Sequence, residues 1–446
     1  MSNLTAKAAP EFLKDSVIYQ INLRTFTPDG TLRAAERLLP HIAALGADMV
    51  YLCPVTLADD DPRPEFWSDR QKQSGLNNPK NIYRVGDYYA VDPEYGTDDD
   101  LKSFVRTAHG LGLRVLLDLV YYHCGPSAAF LAEHPDFAVR DENGEIRNGH
   151  WHFPELNFAS SGLREYLWRN MEYFVREFDV DGYRCDVAGA VPLDFWEEGR
   201  RRIDALKPGL IMLAESEGDR REEQRAAFEL NYGMTFIWSF PAVLRGEKPA
   251  SALREAREQR RERRAEALPG ARFLAAFDNH DLANDQYDDR IEKLGPERIE
   301  AALAFCFALD GVPLLYCGQE IADSHRHSIF GNRFYGPGLV IDWSNAVTPA
   351  GERRMRFLKE LIALRRRTPA LTQGETVWLD NPYPDELLTF RRTMPAESVL
   401  TAVNFGRETR TVGTGGGEVL FRGGGAALNG GDEAVLPPSG FLISRT

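Results

Sequence analysis

The stretch FLAAFDNHDLAND (residues 273–285) joins an apolar run of strand character directly to a group of polar residues. Phe273 to Phe277 form the run, and Asp278, Asn279, His280 and Asp281 follow at its C-terminal end. Two carboxylates and an imidazole at the tip of a buried strand are typical of a protein whose site lies at the carboxyl ends of parallel strands. Other strands of the chain are then expected to end in the same way.

Seven more apolar, β-branched runs occur along the chain, and amphipathic segments of helical period lie between them. The eight predicted strands are residues 17–26, 49–55, 114–123, 182–188, 210–216, 234–240, 272–281 and 312–320. The predicted helices are residues 31–45, 98–112, 162–178, 192–206, 219–230, 249–266, 295–309 and 350–367. Alternating strands and helices indicate parallel strands joined by right-handed crossovers, and eight such units predict an α/β fold of the (β/α)₈ TIM-barrel type.

Three long connections follow predicted strands, at residues 56–96, 124–160 and 321–349, which places them on the face where barrels carry their active sites. After residue 372, short strand-like pieces alternate with turn clusters, which predicts an antiparallel β-sandwich domain. The predicted domains are a catalytic barrel (1–123 and 161–371), a short inserted domain (124–160) and a C-terminal β domain (372–446).

The composition excludes several classes of partner. Asp and Glu outnumber Lys and Arg 67 to 53, and the net charge of -14 argues against nucleic acid and anionic membranes and fits a neutral substrate. The five cysteines are scattered and form no CxxC pair, so we expect reduced core thiols and, with no apolar signal segment at the N-terminus, a cytoplasmic protein. The oligomeric state stays open.

Polar side chains recur at the ends of the third, fourth, fifth and seventh predicted strands. They are Asp118, His123, Arg184, Asp186, Glu215, His280 and Asp281. Taken singly, each has an ordinary explanation as a helix cap, a turn former, a structural histidine or a salt bridge. Those explanations leave the recurrence on four strands unaccounted for, and in a closed barrel the four tips converge on one pocket.

Clustered carboxylates without a Ser/His or Cys/His pair favour cleavage of a glycosidic bond, which needs one ionised and one protonated carboxyl group. Arg184 lies two residues before Asp186, on the same strand face, and is expected to favour the ionised form of Asp186. Glu215 is expected to keep its proton because of burial and the repulsion of Asp186 and Asp281. Glu217, two residues further on, is the alternative acid.

The segments DLVYYH, GYRCD, LAES and FDNHD, in this order and spacing, resemble the four signature segments of the α-amylase family of retaining glycoside hydrolases (glycoside hydrolase family 13). The resemblance extends over most of residues 16–370 and includes GVPLLYCGQE. It implies that Asp186 is the nucleophile, that Glu215 is the general acid and then the base, and that Asp281 binds the 2- and 3-hydroxyl groups of the sugar.

The same resemblance implies a surrounding set of substrate-binding and supporting residues. Tyr83 would stack on the bound glucose, and His123 and His280 would hydrogen-bond its hydroxyl groups. Arg184 would orient Asp186, and Asp118 would support the arginine.

The chain departs from the family at two motifs. Tyr122 stands where many α-amylases have the calcium-binding Asn, which argues against a structural calcium at the usual site, and no cofactor or metal is expected. Gly189 and Ala190 replace a common Lys-His pair, so the acceptor subsites are not defined. Trp151 and Phe153 are either sugar platforms or core of the insert, and the HWH and HRH motifs are more simply loop histidines than metal ligands.

The leading functional hypothesis is hydrolysis of α-1,4-glucosidic bonds in maltooligosaccharides or soluble starch. The alternatives on the same core are glucosyl transfer, an exo-acting α-glucosidase and a trehalose-forming enzyme. A barrel kept only as a binding module would be expected to have lost one of Asp186, Glu215 and Asp281, and all three are present.

Overall fold

A closed parallel barrel forms the larger part of the computed structural model, which describes residues 9–217, 221–263, 272–430 and 432–446. The strands described before residue 372 are β1 (Ile18–Ile21), β2 (Met49–Leu52), β3 (Thr56–Ala58), β4 (Val85–Val91), β5 (Arg114–Leu119), β6 (Gly182–Cys185), β7 (Ile211–Ala214), β8 (Leu230–Asn231), β9 (Arg272–Ala275) and β10 (Val312–Tyr316). All except β3 and β4 belong to the barrel, in the order β1-β10-β9-β8-β7-β6-β5-β2. The predicted (β/α)₈ fold is confirmed.

Helices connect the barrel strands and cover the outside of the sheet. They are α1 (Leu23–Phe26), α2 (Leu32–Glu36), α3 (Leu39–Leu45), α4 (Asp69–Gln73), α5 (Asp98–Gly110), α6 (Ser161–Phe178), α7 (Leu193–Leu206), α8 (Arg221–Ala226), α9 (Met234–Arg245), α10 (Ser251–Arg263), α11 (His280–Asp285), α12 (Pro296–Ala308), α13 (Pro349–Arg367) and α14 (Pro369–Gln373). Parts of the predicted helices at 219–230 and 249–266 lie outside the described residues. Within the described ranges, every helix is too short or too polar to span a bilayer.

Local sequence explains where the long helices begin. Thr97 and Asp100 form a capping box at the start of α5, in which each side chain accepts a hydrogen bond from the backbone N–H of the other residue. Ser160 caps α6 by accepting from the N–H of Leu163. The barrel strands are buried along their length, as expected for a parallel sheet covered by helices on its outer face.

The prediction for the sixth strand was wrong. Residues 234–240 begin helix α9, and the barrel strand is the two-residue β8, directly before them. The buried positions of α9 include Phe236, Phe240 and Val243, which follow the helical period rather than the alternation of a strand. A two-residue strand is too short to leave a pattern of its own, so the apolar run beside it was mistaken for the strand.

The long connections add structure above the carboxyl ends of the barrel strands. Residues 56–96 carry β3 and β4, which pair antiparallel as a separate ribbon, and the short helix α4. Residues 124–160, predicted as an inserted domain, contain isolated antiparallel bridges such as Ala138 with Leu156. Both connections and the loop after β10 contribute side chains to the pocket described below.

The C-terminal part is antiparallel β-structure, as predicted. Its strands are β11 (Glu375–Trp378), β12 (Leu387–Met394), β13 (Glu397–Asn404), β14 (Arg410–Gly413), β15 (Glu418–Gly423), β16 (Ala427–Asn429), β17 (Glu433–Leu436) and β18 (Phe441–Arg445). One sheet has the order β11-β12-β13-β18-β15 and the other β14-β17-β16. A small apolar cluster that includes Leu387, Leu436 and Leu442 joins the two sheets.

Aromatic side chains join the C-terminal sheet to the barrel. Phe305 of α12 lies 5.8 Å, centroid to centroid, from both Phe390 and Phe405, and Phe240 of α9 lies 5.9 Å from Phe405. The rings belong to the main hydrophobic core, so barrel and sheet share one apolar interior. All five cysteines are buried and none forms a disulfide, in agreement with the prediction of core thiols.

Candidate active site

A pocket with an empty volume of about 490 Å³ opens at the carboxyl ends of the barrel strands. Its walls come from strand tips and from the three long connections. The lining residues are Ser68, Arg70, Asn81, Tyr83, His123, Trp151, Phe153, Asp186, Val187, Glu215, Asp281, Ile329 and Phe330.

Backbone hydrogen bonds between neighbouring strands continue past the strand ends and fix two of the carboxylates. The N–H of Asp186 donates to the carbonyl of Leu119 at 2.9 Å, and the N–H of Glu215 donates to the carbonyl of Cys185 at 3.0 Å. The two acidic residues therefore sit on the rigid barrel and not on a loop, which is how a catalytic pair is held in a reproducible geometry.

Arg184 lies beneath the carboxylates and is fully buried. Its Nη1 donates to Asp186 Oδ1 at 2.7 Å, and its Nη2 lies 2.8 Å from Glu215 Oε1. Asp118 pairs with Arg184 in the register of β5 and β6 and accepts from the same Nη1 at 2.7 Å. The sequence argument linked Arg184 to Asp186 alone; the planar guanidinium in fact contacts three carboxylates and does not distinguish Asp186 from Glu215.

Burial is the largest influence on the two carboxyl groups. It raises the pKa of both Asp186 and Glu215 above the ordinary values, and Arg184 opposes the rise in each case. The N–H of Val187 also donates to Glu215 Oε2 at 2.8 Å and favours the charged form of Glu215. Val187 has φ 44°, a left-handed conformation that is costly for a β-branched residue and is found where a site over-determines the backbone.

Asp281 is the one carboxylate of the pocket that a second arginine contacts. Nη1 of Arg70 donates to Asp281 Oδ1 at 2.7 Å, and Nε of Arg70 donates to Asp285 Oδ1 at 2.8 Å. Burial raises the pKa of Asp281, but His280, Arg70 and Arg184 outweigh it and hold that pKa below the ordinary value. Asp281 is therefore ionised at neutral pH, whereas Asp186 and Glu215 are harder to ionise.

Tyr83 and His280 form a hydrogen-bonded chain behind the pocket. The amide Nε2 of Gln20 lies 2.7 Å from His280 Nδ1, so Nδ1 accepts and the ring proton is on Nε2. His280 Nε2 is 2.5 Å from the hydroxyl of Tyr83, which in turn donates to Asp118 Oδ2 at 2.9 Å. The chain fixes the orientation of the Tyr83 ring in the pocket wall.

His123 lines the pocket as a neutral imidazole. Its Nε2 lies 2.8 Å from the carbonyl of Tyr83 and must donate to it, and burial lowers the pKa of the imidazole to about 4. The ring is therefore neutral at pH 7 and Nδ1 carries a lone pair. Nδ1 is buried and has no hydrogen-bond partner within the described part of the chain.

The structure brings together most of the residues that the sequence singled out. Five of them line the pocket: Tyr83, His123, Asp186, Glu215 and Asp281. Asp118, Arg184 and His280 are buried in the barrel behind this wall, and the Tyr83 ring stacks on the ring of His280. Arg184 contacts Asp186 and His280 contacts Tyr83, and both of these partners line the pocket.

Other residues of the site were missed. Arg70 lies on a long connection whose path no sequence pattern fixes, and the strain at Val187 leaves no signature in the sequence. Gln20 lies within the first predicted strand, residues 17–26, and was treated only as part of the barrel. Trp151 and Phe153, for which two roles were open, both line the pocket beside His123, at 5.4 and 4.9 Å between ring centroids.

Glu217 points away from the pocket lining. Its Oε2 accepts from the N–H of Thr235 in the first turn of α9, so it acts as a cap to that helix. Glu215, in contrast, lines the pocket and contacts Arg184 and Val187.

The residues present do not fit the family calcium site. Tyr122 occupies the position of the calcium-binding Asn, and its hydroxyl donates to Glu155 Oε1 at 2.8 Å instead of facing a cation. His325 and His327 both contact Asp323, and His152 lies 3.2 Å from Asp69. Across residues 9–217, 221–263, 272–430 and 432–446, no group of three His, Cys, Asp or Glu side chains is arranged to hold a metal ion.

Comparison with known proteins places these features in a family. The model of the alpha-amylase catalytic domain matches residues 10–145 and 145–369. The chain is 28% identical over 431 residues to alpha-amylase MalA of Haloarcula japonica, covering 91% of this chain and 57% of that protein. It is 24% identical over 454 residues to the intracellular maltogenic amylase of Bacillus subtilis (strain 168), covering 91% of this chain and 71% of that protein.

Solved structures share the fold over almost the whole chain. The maltogenic alpha-amylase AmyB of Thermotoga neapolitana superposes with a TM-score of 0.76 at 24% identity, over 97% of each chain. An alpha-amylase of Lactobacillus plantarum superposes with a TM-score of 0.77 at 22% identity, over 97% of this chain and 99% of that one. At this identity the likeness establishes the fold. Because the family model covers most of its length, the chain belongs to the alpha-amylase family of glycoside hydrolases.

Proposed function

We propose that this protein hydrolyses α-1,4-glucosidic bonds in maltooligosaccharides or soluble starch by a retaining mechanism with a covalent glucosyl-enzyme intermediate. One observation carries the proposal: a single buried guanidinium, that of Arg184, contacts both Asp186 and Glu215 at the floor of a pocket that also contains Asp281. Two carboxyl groups that contact one planar group are close neighbours, and a retaining glycosidase needs two such neighbouring carboxyl groups.

In the first step, an oxygen of Asp186 attacks the anomeric carbon of the sugar in the pocket. The bond to the glycosidic oxygen breaks, and Glu215 donates its proton to that oxygen, so the leaving sugar departs as an alcohol. Burial raises the pKa of Glu215 and favours retention of its proton, but it raises the pKa of Asp186 as well, so the division of roles rests on the positions of the two residues in the family's signature segments. Arg184 stabilises Asp186 as a carboxylate before the attack.

In the second step, Glu215, now a carboxylate, takes a proton from a water molecule, which attacks the anomeric carbon. The ester bond to Asp186 breaks and the free carboxylate is restored, so both groups return to their starting protonation states. Asp281 accepts hydrogen bonds from hydroxyl groups of the ring, and neutral His123 lines the same pocket. Each step inverts the configuration of the anomeric carbon, so the configuration is retained overall.

The first test asks whether Glu215 or Glu217 is the general acid. Glu215→Gln is expected to lower turnover of maltotriose by about 10²–10⁴-fold, the usual contribution of general acid–base catalysis. It is expected to spare ester formation from an α-glucosyl fluoride, whose leaving group needs no proton. Glu217→Gln is the matched control, because a glutamine oxygen can still accept from the Thr235 N–H. Equal activity of the two variants would contradict the assignment.

A product profile then decides between water and a sugar as the acceptor. Incubation with maltotriose to maltoheptaose is expected to give shorter products, with the α-anomer formed first when followed by NMR. Longer oligosaccharides would favour the transfer alternative, and glucose alone would favour an exo-acting glucosidase. A slow fluorinated substrate is expected to label Asp186, detected by peptide mass spectrometry. No turnover and no label on any α-glucoside would refute the proposal.

We also propose that the protein acts inside the cell. Five buried, unpaired thiols fit a reducing compartment, and a relative carries the name intracellular maltogenic amylase. Fractionation of the native host is expected to recover the activity with cytoplasmic markers, and recovery from the medium would contradict this placement.

A further inference from the structure

A second groove lies on the same face of the barrel as the pocket. Helices α9 and α11 follow the neighbouring strands β8 and β9, which pair in parallel, so both begin at the carboxyl ends of the strands. Their side chains together line a groove with an empty volume of about 900 Å³. We call this the Trp238 groove and define it by Trp238, Pro241, Leu282, Asp285, Gln286 and Asp289.

Trp238 is the unusual residue of this groove. The chain has seven tryptophans, all within the described ranges, and the other six are buried or half-buried, whereas Trp238 is 40% exposed. The other large apolar side chains in the middle of α9, such as Phe236, Ile237 and Phe240, are buried. The indole is therefore not needed for the core contact of the helix, and its face is available to a ligand.

The Trp238 groove is connected to the pocket through one ion-paired bridge. Asp285, on the wall of the groove, accepts from Nε of Arg70 at 2.8 Å, and Nη1 of the same guanidinium donates to Asp281 at 2.7 Å in the pocket. Leu282 of the groove is the residue next to Asp281. The groove and the pocket therefore share the Arg70 guanidinium and neighbouring residues of α11.

The chemistry of the groove matches a glucan chain. An exposed aromatic face binds the apolar face of a sugar ring, and carboxylate oxygens on the rim accept hydrogen bonds from hydroxyl groups. The rim supplies such carboxylates at Asp285 and Asp289. Two carboxylates on the rim and the overall charge of -14 disfavour an anionic ligand such as nucleic acid. One exposed aromatic side chain is also too little for a stable protein interface.

We propose that the Trp238 groove binds a glucose unit of an α-1,4-glucan whose chain is longer than the pocket can hold, with the Trp238 ring as its platform. This inference rests on the proposed function for the identity of the sugar. It adds a binding subsite, reached across the Arg70–Asp285 pair. This subsite gives long substrates a higher kcat/KM than short ones.

The test compares substrates of different length. Trp238→Ala is expected to lower kcat/KM for maltoheptaose by about tenfold, the equivalent of about 1.4 kcal/mol, and to leave kcat/KM for 4-nitrophenyl α-glucoside unchanged. Trp238→Phe, which keeps an aromatic face, is expected to recover most of the loss. Tyr383→Ala removes an exposed aromatic side chain of the C-terminal part and serves as the matched control. Thermal unfolding confirms that each variant is folded.

Equal loss on both substrates, or no loss on maltoheptaose, would overturn the inference. Failure of the proposed function would give a different result, namely no turnover of either substrate by the unaltered protein. In that case equilibrium binding of maltoheptaose, followed by tryptophan fluorescence with cellohexaose as the comparison, still tests the groove. Binding that is weakened by Trp238→Ala supports the inference, and binding that is unaffected refutes it.

Discussion

Arg70 is the most important of the site residues that the sequence did not predict. It lines the pocket, is partly exposed, and donates to both Asp281 and Asp285. Its charge is one of the three influences that keep the pKa of Asp281 low in spite of burial. Under the proposed function Asp281 binds hydroxyl groups in its ionised form, and that form depends in part on a cation from a loop distant in sequence.

Arg70→Met tests this dependence, since methionine keeps the apolar stem and removes the charge. Loss of a charge-assisted hydrogen bond of about 1.5–3 kcal/mol is expected to lower kcat/KM for maltotriose by about 10- to 150-fold. Without the cation the pKa of Asp281 rises, so the ionised form is lost at a higher pH and the acidic limb of the kcat/KM profile moves to higher pH. Measurement of kcat/KM against pH checks both effects.

Arg63→Met is the control for that experiment, because Arg63 lies on the same connection and pairs with Asp61 outside the pocket. An unchanged pH profile in Arg70→Met would show that the arginine is structural only. Arg70→Lys restores the charge but not the forked geometry and is expected to recover the pH profile better than the rate.

Most of the residues that were predictable follow barrel strands, whereas Tyr83, on a long connection, was predicted from the family resemblance alone. Asp186, Glu215 and Asp281 are far apart in the chain, yet the parallel barrel brings their strand tips to one face, so position in the sequence was enough. Arg70 and Val187 depend on the course of a loop and on one left-handed backbone angle. Neither leaves a periodic signal, and no sequence rule was available for them.

At the scale of elements, strand β6 carries both Arg184 and Asp186 at or just past its end, and its start is tightly constrained. Gly182 has φ +151°, and a Cβ at this position would collide with the backbone carbonyl of Ile211 on the neighbouring β7. Only glycine satisfies both conditions, because it has no Cβ and accepts positive φ. The close approach of β6 and β7 therefore depends on this residue.

Gly182→Ala is expected to destabilise the protein by about 3 kcal/mol or more, since the strain and the backbone collision add. Urea unfolding followed by circular dichroism measures the change in the free energy of unfolding. Gly110→Ala, at the end of α5 with open space around it, is the control and is expected to be neutral or stabilising by up to about 1 kcal/mol. Similar values for the two variants would refute the argument.

Element prediction succeeded where a segment was long enough to show its period. Helices such as α6 and α12 were recovered nearly to the residue, because several turns of amphipathic pattern defined them. The two-residue strand β8 and the short strands β14, β16 and β17 were missed or misassigned. Their pairing comes from contacts distant in sequence, and two to four residues contain too little pattern to predict it.

For the whole molecule, the aromatic contact between barrel and C-terminal sheet decides whether the two behave as one unit. Phe390 of β12 is fully buried and contacts Phe305 of α12 and Trp378 of β11. Large apolar side chains at such a junction make the C-terminal sheet part of the barrel's core rather than an appendage. The sequence predicted both parts but gave no sign of this contact.

Phe390→Ala is expected to lower the free energy of unfolding by about 3–5 kcal/mol, the usual cost of removing a buried phenylalanine ring. It is expected to do so in one cooperative transition, with barrel and sheet unfolding together. Val377→Ala on β11, which is 45% exposed, is the control and is expected to change the stability by less than about 0.5 kcal/mol. Separate transitions for sheet and barrel in differential scanning calorimetry would contradict this picture.

The pairing of β1 with β10 has a consequence for protein synthesis. It joins Ile18 to Leu314, and Gln20 on β1 orients His280 beyond the end of β9. A nascent chain on the ribosome therefore has no complete site until β10 has been translated and has joined β1. A translation product that stops before that strand cannot close the barrel, so we expect it to lack the proposed activity.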